Sequence, residues 1–330
     1  MNSQRIIWID SLKGWLIILV VLGHAIQEVV GDDCFDNHLW NLIYSFHMPA
    51  FMAVSGWVAC KSANMNAYGS FLSRRFRQLM IPYFLWSIIS CIIKGYEAEK
   101  IITQPDCYFW FLWVLFFICV LFYGSRMIAS RCNTNELVII LAVSSILMGV
   151  MVFANVRTFG FQFIAYYFLF YTLGYFIHKN SCLHIKSGVI LLVLSVLWVI
   201  LAWWWKMHEL PSWMPVITGV PVALLQYAYR GFTALLAILV IMNVAPRFLS
   251  NQHPFNTLMA KIGKVSLGIY VIHLLLMSFI IDGVKMLNPE VSLYILVTLS
   301  AIISFFVSIC IVAVLNKWEI TSRFLLGKLY

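Results

Sequence analysis

Charge is what this sequence has least of. Only 11% of its 330 residues are Asp, Glu, Lys or Arg, where a soluble domain carries about 25%. Hydrophobic residues make up 62%, and mean hydropathy is +0.90. So few charges cannot coat a water-facing surface, which excludes a soluble enzyme and a disordered tail. The eight cysteines form no C-x-x-C pair and no metal-ligand spacing. A disulfide scaffold is therefore excluded, and no metal site is implied. Internal repeats and low-complexity segments are missing as well. The first apolar run is longer than a signal-peptide core and no A-x-A-like site follows it, so it is expected to stay in the protein. Negative charge is the scarcer sign, 13 acidic against 22 basic residues, for a net +9 and a pI near 9.1. In a soluble chain that excess would point to nucleic acid; here the question is which side of a membrane it occupies.

Long apolar runs are what the sequence has instead. They fall at 9–30, 39–60, 78–95, 108–128, 136–156, 160–178, 187–205, 220–244, 262–282 and 291–315. Each approaches the roughly 20 residues needed to cross a hydrocarbon core of about 30 Å. The reading is an all-α polytopic transmembrane bundle of about ten spans, with a polar cavity between helices. Residues 1–330 form a single integral membrane domain in this reading. Pro211, Pro215, Gly219 and Pro221 make the start of the eighth span the least sharply marked boundary.

Ten spans put both termini on one side. With the N-terminus inside, fifteen Lys and Arg fall on the cytoplasmic side, Arg5, Lys61 and the Arg74–Arg77 group among them. Five fall outside (Lys94, Lys100, Arg157, Lys206, Lys285), and Lys13 and Arg230 lie within spans. That asymmetry predicts N-in, C-in. Cys34 and Cys107 then sit in the first two outer loops. A disulfide between them would suit an oxidising compartment, and the sequence leaves that pairing open.

Ionisable groups inside spans are costly and mark function. Lys13 and His24 are eleven residues apart in the first span, a rise of about 16 Å with only about 20° of rotation, so they share one helix face. Asp10, three residues before Lys13, can pair with it. Glu28, one turn beyond His24, can orient its imidazole. The bland alternative is a snorkelling lysine and a histidine bonded to a carbonyl. The second span holds His47, followed by Pro49, Ser55 and Gly56. Pro49 frees a carbonyl, and the small residues permit close helix contact. Arg74, Arg75 and Arg77 stand at the inner boundary of the third span. They read either as topology anchors or as a bidentate clamp for phosphate. Tyr270 and His273 share a face of the ninth span. Three intramembrane histidines fit one polar cavity better than three separate accidents.

Taken in order, these segments resemble the acyltransferase 3 family of integral membrane O-acyltransferases, in its fucose 4-O-acetylase-like branch. Trp8-Ile9-Asp10, Lys13-Gly14 and His24 are similar to that family's Arg/Lys-x10-His signature. Arg74 and Arg77 match its Arg-x-x-Arg motif, followed by Pro82-Tyr83. Phe46-His47-Met48-Pro49 with Ser55-Gly56, and Ser266-Leu267-Gly268-Ile269-Tyr270-Val271-Ile272-His273, are similar to its second-span and late segments. Lys13 departs from the arginine of many members and lacks the bidentate fork. Residues 130–260 contribute little to the resemblance.

The resemblance implies transfer of an acyl group, usually acetyl from cytosolic acetyl-CoA, to a hydroxyl of a carbohydrate or cell-envelope glycan at a bacterial inner membrane. The expected partners are the acyl-CoA donor, a glycan or glycolipid acceptor and the lipid bilayer, not nucleic acid. Such a transfer needs a base for the hydroxyl and a donor for the oxyanion. His24 is the expected base, by direct transfer or through an acyl-His24 relay. Glu28, His47, Tyr270 and His273 are expected to orient it or stabilise charge. Lys13, Arg74, Arg75 and Arg77 are expected to hold the acyl-CoA. A transporter or flippase for a glycan intermediate is the competing reading, since midplane polar groups and Pro-broken helices suit transport too.

Overall fold

A computed structural model describes residues 6–60, 68–95, 97–107, 109–180, 183–251 and 253–329. Arg5 and Lys61 of the charge pattern lie outside the described residues. Among the described residues the secondary structure is helical, with no strand: α1 (Ile7–Val30), α2 (His38–Ala59), α3 (Tyr68–Arg75), α4 (Ile81–Lys94), α5 (Lys100–Thr103), α6 (Trp110–Arg131) and α7 (Glu136–Phe153). There follow α8 (Phe161–Lys179), α9 (Gly188–Trp203), α10 (Val222–Leu249), α11 (Pro254–Lys264), α12 (Ser266–Leu287), α13 (Leu293–Leu315) and α14 (Glu319–Phe324). Among the described residues, nine helical stretches are long and apolar enough to cross a membrane. The protein is an integral, multi-pass membrane protein. The seventh expected span appears as the 16-residue α9, about 24 Å long at helical rise.

Two elements differ from the sequence reading. The third span starts earlier, because α3 runs through a π-helical turn, Phe76–Met80, into α4. The ninth expected span is two helices broken at Val265: amphipathic α11 precedes the membrane-spanning α12. α11 begins on Pro254, and the His253 side chain accepts the Phe255 N–H to cap it. Cys34 is buried and Cys107 is exposed, and neither is in a disulfide.

The helices form two compact units. The first comprises residues up to Phe51 and Asn180–Val314. Here α1 meets α11 through glycines. A Cβ on Gly14 would lie 2.2 Å from the Met259 carbonyl oxygen, and one on Gly263 would lie 1.8 Å from that of Asp10. Backbone-to-backbone approach of this kind is how membrane helices gain packing energy without a hydrophobic driving force. Ser11 Oγ donates to the Asn256 carbonyl at 2.7 Å across the same contact. Along α13, Ser300, Ser304 and Ser308 are fully buried while Ile302, Phe306 and Val307 are exposed. The small-residue face therefore turns inward and the bulky face is left for lipid. At the loop end, Lys206 bonds Asp36 at 2.7 Å and Glu209 at 3.0 Å. These bonds, Asp36 first, raise its pKa above the ordinary lysine value. The tie thus holds through neutral pH and is lost only as pH climbs past that raised value.

The second unit comprises Met52–Lys179 and Leu315–Tyr330. Its tightest seam joins the end of α2 to α8. A Cβ on Gly56 would lie 1.8 Å from the Tyr171 carbonyl oxygen, and one on Gly174 would lie 1.9 Å from that of Ala53. Pro82 has no N–H for the Gln78 carbonyl four residues back. Gly327, at φ +63°, sits directly against that carbonyl. Trp86 Nε1 donates to the Leu325 carbonyl at 2.8 Å, so the C-terminal segment docks where the π-helical turn enters α4.

Candidate active site

The first unit gathers the histidines. α1 carries Lys13 and His24 on one face, both half-buried, and exposed Glu28 one turn further on. The His24 ring lies 5.4 Å from that of His273 on α12, tilted by 49°. On the other side it faces the edge of Tyr44 on α2, 6.4 Å away at 79°. Tyr44 in turn meets His47 edge-on at 4.7 Å. Tyr270 is buried one turn before His273, with its ring 6.2 Å from the imidazole. Three histidines and two tyrosines from three helices thus share one region.

The local hydrogen bonds fix ring chemistry. His47 Nδ1 lies 2.7 Å from the Ile43 carbonyl and His273 Nδ1 lies 2.8 Å from that of Ile269. A carbonyl only accepts, so each Nδ1 carries its hydrogen, and Nε2 is the basic nitrogen of the neutral ring. Both residues are buried, and Ser304 Oγ from α13 donates to the His273 carbonyl at 3.4 Å. Burial with one nitrogen anchored makes His47 and His273 oriented groups rather than mobile ones. α2 itself starts on a cap: Asn37 Oδ1 accepts the Trp40 N–H at 3.1 Å. From that cap, Trp40, Asn41, Tyr44 and His47 fall on one face at helical spacing.

The arginines belong to the second unit. Arg74 and Arg77 are exposed and Arg75 is half-buried. Arg75 donates to Gln78 Oε1 at 3.2 Å and sits over the Phe71 ring at 5.2 Å. Arg77 Nε donates to the Ser73 carbonyl at 3.4 Å. The π-helical turn begins at Phe76, inside the Arg-x-x-Arg stretch's C-terminal half, and such turns gather at functional sites. Exposed guanidinium groups on α3 and on this turn fit a phosphate-bearing ligand by charge and fork geometry.

Two features escaped the sequence reading. Tyr44 looked like one more aromatic among many, yet it stands between His24 and His47. The other is an ionic knot in the second unit. Glu136 at the start of α7 accepts from Arg126 Nε at 3.2 Å, from Lys179 Nζ and from Tyr175 Oη at 3.2 Å. The Arg126 guanidinium is also flanked by the Phe122, Tyr123 and Tyr175 rings. The proximity of Arg126 and Glu136 across a ten-residue turn is visible in sequence as an Arg–Glu pair bracketing Asn133-Thr134-Asn135. Removing one member strands a charge that is largely out of water. Glu136→Ala is therefore expected to lower stability by about 3–5 kcal/mol, read as a drop in unfolding midpoint in detergent; an unchanged midpoint would refute the role given to the knot. Among the described residues no cluster of His, Cys, Asp or Glu is arranged to hold a metal ion.

Known proteins give the chain a context. The profile of the acyltransferase 3 family, described as an acyltransferase domain, matches residues 6–316. The nodulation protein NolL of Sinorhizobium fredii is 32% identical over 131 residues, 34% of this chain and 34% of the relative. NolL of Mesorhizobium japonicum is 27% identical over 188 residues, 53% of this chain and 48% of the relative. The chain therefore spans about a third to a half of the length of these curated relatives. No solved structure matches it.

Proposed function

The chain belongs to the acyltransferase 3 family, and from that premise we propose that it is a membrane-embedded O-acyltransferase. It moves an acyl group, acetyl in the first instance, from cytosolic acyl-CoA to a hydroxyl of a carbohydrate or cell-envelope glycan. The observation that carries this reading is the convergence of His24, His273, Tyr44 and His47 in one membrane region. In this reading a neutral His24 takes the proton of the acceptor hydroxyl. The hydroxyl oxygen bonds to the thioester carbonyl carbon, the C–S bond breaks and the thiolate leaves with coenzyme A. The proton on His24 then passes to that thiolate, which returns the base. Tyr270 and the anchored His47 and His273 stabilise the developing oxyanion or hold His24 in place. Glu28, exposed beside the outer turn of α1, orients the imidazole as the acceptor enters. Arg74, Arg75 and Arg77 hold the phosphates of the donor, and Lys13 lines the route on the His24 face. The N-in, C-in arrangement puts these arginines in the cytoplasm of a bacterial cell, with the protein in its inner membrane.

The reading is tested by coenzyme A release from acetyl-CoA with the purified protein, with and without glycan acceptors. Acceptor-dependent release is expected. Movement of the glycan across vesicles without acyl-CoA, and no release, would replace the enzyme with a transporter. For the clamp, the paired change Arg74→Glu, Arg77→Glu is expected to raise the acyl-CoA KM by about tenfold or more, since each charge-assisted hydrogen bond to a phosphate is worth roughly 1.5–3 kcal/mol. Unchanged donor kinetics in a correctly inserted protein would remove the arginines from the donor site.

A further inference from the structure

At about 100° per residue, α11 presents three faces. Asn256, Met259, Ala260 and Gly263 form the buried one, and the seam with Gly14 of α1 runs along it. Phe255 and Leu258 lie on a second face, 46% and 51% exposed. Thr257, Lys261 and Lys264 lie on a third, all exposed. A helix packed on a water-soluble core needs only the first and the third. The apolar second face continues beyond the helix. Trp15 on α1 meets the Phe255 ring edge-on at 5.6 Å and is itself 40% exposed. Phe248, near the end of α10, is also exposed.

The position of α11 is fixed. Asn256 Nδ2 donates to the Phe248 carbonyl at 2.9 Å and to Asn251 Oδ1, and the Asn256 carbonyl takes the Ser11 hydroxyl. The residues it meets on α1, namely Asp10, Ser11, Gly14 and Trp15, fall in the first three turns of a helix that starts at Ile7. α11 therefore lies at the end of the unit where α1 begins, and it leads through Val265 into the membrane-spanning α12. The charge there is one-sided. No Asp or Glu occurs from residue 210 to residue 281. Among the described residues neither Lys261 nor Lys264 is in an ion pair. Arg247, in the last turn of α10, is held by the carbonyls of Ile185 and Lys186.

An exposed apolar stripe beside an exposed basic stripe, level with the start of a membrane span, matches the boundary between acyl chains and headgroups. We propose that α11 is a docking surface for anionic phospholipid in the leaflet where α1 begins, the cytoplasmic one in the N-in arrangement. Phe255, Leu258 and Trp15 enter the acyl region, and Lys261 and Lys264 hold the headgroup phosphates. A zwitterionic headgroup offers the same phosphate but carries its own cation, so the lysines favour lipid of net negative charge. A soluble anion would leave the apolar stripe in water. A second copy docked face to face would set lysine against lysine, since such contacts pair like with like. Gly14 and Gly263 lock α11 to α1, so the headgroup charge of that leaflet bears on the helices that carry His24 and His273. The proposal stands apart from the O-acyltransferase reading.

The test uses the full-length protein in nanodiscs of phosphatidylcholine, with and without phosphatidylglycerol. Hydrogen exchange of the amides of residues 255–264 is the readout, with α6 as the control. Phosphatidylglycerol is expected to slow that exchange about fivefold for each lysine, the worth of one basic residue at an anionic surface. The double change Lys261→Gln, Lys264→Gln is expected to abolish the slowing and leave α6 as in wild type. Phe255→Ser, Leu258→Ser is expected to speed α11 exchange in both membranes. Equal exchange in the two membranes, or slowing that survives loss of both lysines, would overturn the docking surface. So would slowing by inorganic phosphate or acetyl-CoA in neutral nanodiscs, which would assign the lysines to a soluble ligand. Slowing seen only in discs that hold two copies would overturn it too, in favour of a self-contact.

Discussion

His24→Ala is expected to lower kcat for acyl transfer by about 10²–10⁴-fold, the usual worth of a positioned general base. Of the three clustered histidines, only His24 is half-buried; His47 and His273 are buried and each has Nδ1 fixed on a carbonyl one turn back. Those two are built to hold a position, whereas His24 stands where a substrate can arrive. The loss should fall on kcat and on kcat/KM together, with the donor KM little changed, because the interaction removed is one made in the transition state. Wild-type rates in the variant would take His24 out of the chemistry.

Gly56→Leu is expected to prevent the second unit from folding. Even the first carbon of a side chain at Gly56 would fall 1.8 Å from the Tyr171 carbonyl oxygen, and the facing Gly174 is equally close to Ala53. The obstruction is backbone on both helices, so no rotamer change relieves it. Ordinary overpacking costs about 1–3 kcal/mol; moving α2 off α8 forfeits the whole seam. The measurement is the yield of monodisperse protein in detergent, with Gly124→Ala as control, since a Cβ at Gly124 meets nothing within 4 Å. Near-normal yield and thermal stability for Gly56→Leu would show that the seam is not tight in the membrane.

The contrast between these residues also shows what sequence reveals. Hydropathy marks spans because lipid demands about 20 apolar residues, and it recovered α1, α2, α6, α7, α8, α10 and α13 closely. It passed over α11, whose three turns are amphipathic and whose role is to meet α1 through Gly14 and Gly263. Nor did it signal the π-helical turn, since no composition encodes one extra residue per turn. Helical arithmetic put Lys13 and His24 on one face because both lie on one helix. That His273 meets His24 depends on which helices pack together, and periodicity within a helix carries no such information. Tyr44 was hidden for a different reason: sixteen percent of the chain is aromatic, so a working ring looks like belt or core until its neighbours are known. The positive charge was legible as a topology signal. That Glu136 also draws Tyr175 and Lys179 to Arg126 required the fold.

The most direct measurement is mass spectrometry of a neutral glycan after incubation with the purified wild-type protein and isotopically labelled acetyl-CoA. The account predicts one labelled acetyl on a glycan hydroxyl, removable by mild alkali as an ester must be, with an equal amount of coenzyme A released. A glycan recovered unlabelled, with acetyl-CoA intact, from protein that binds both would contradict it.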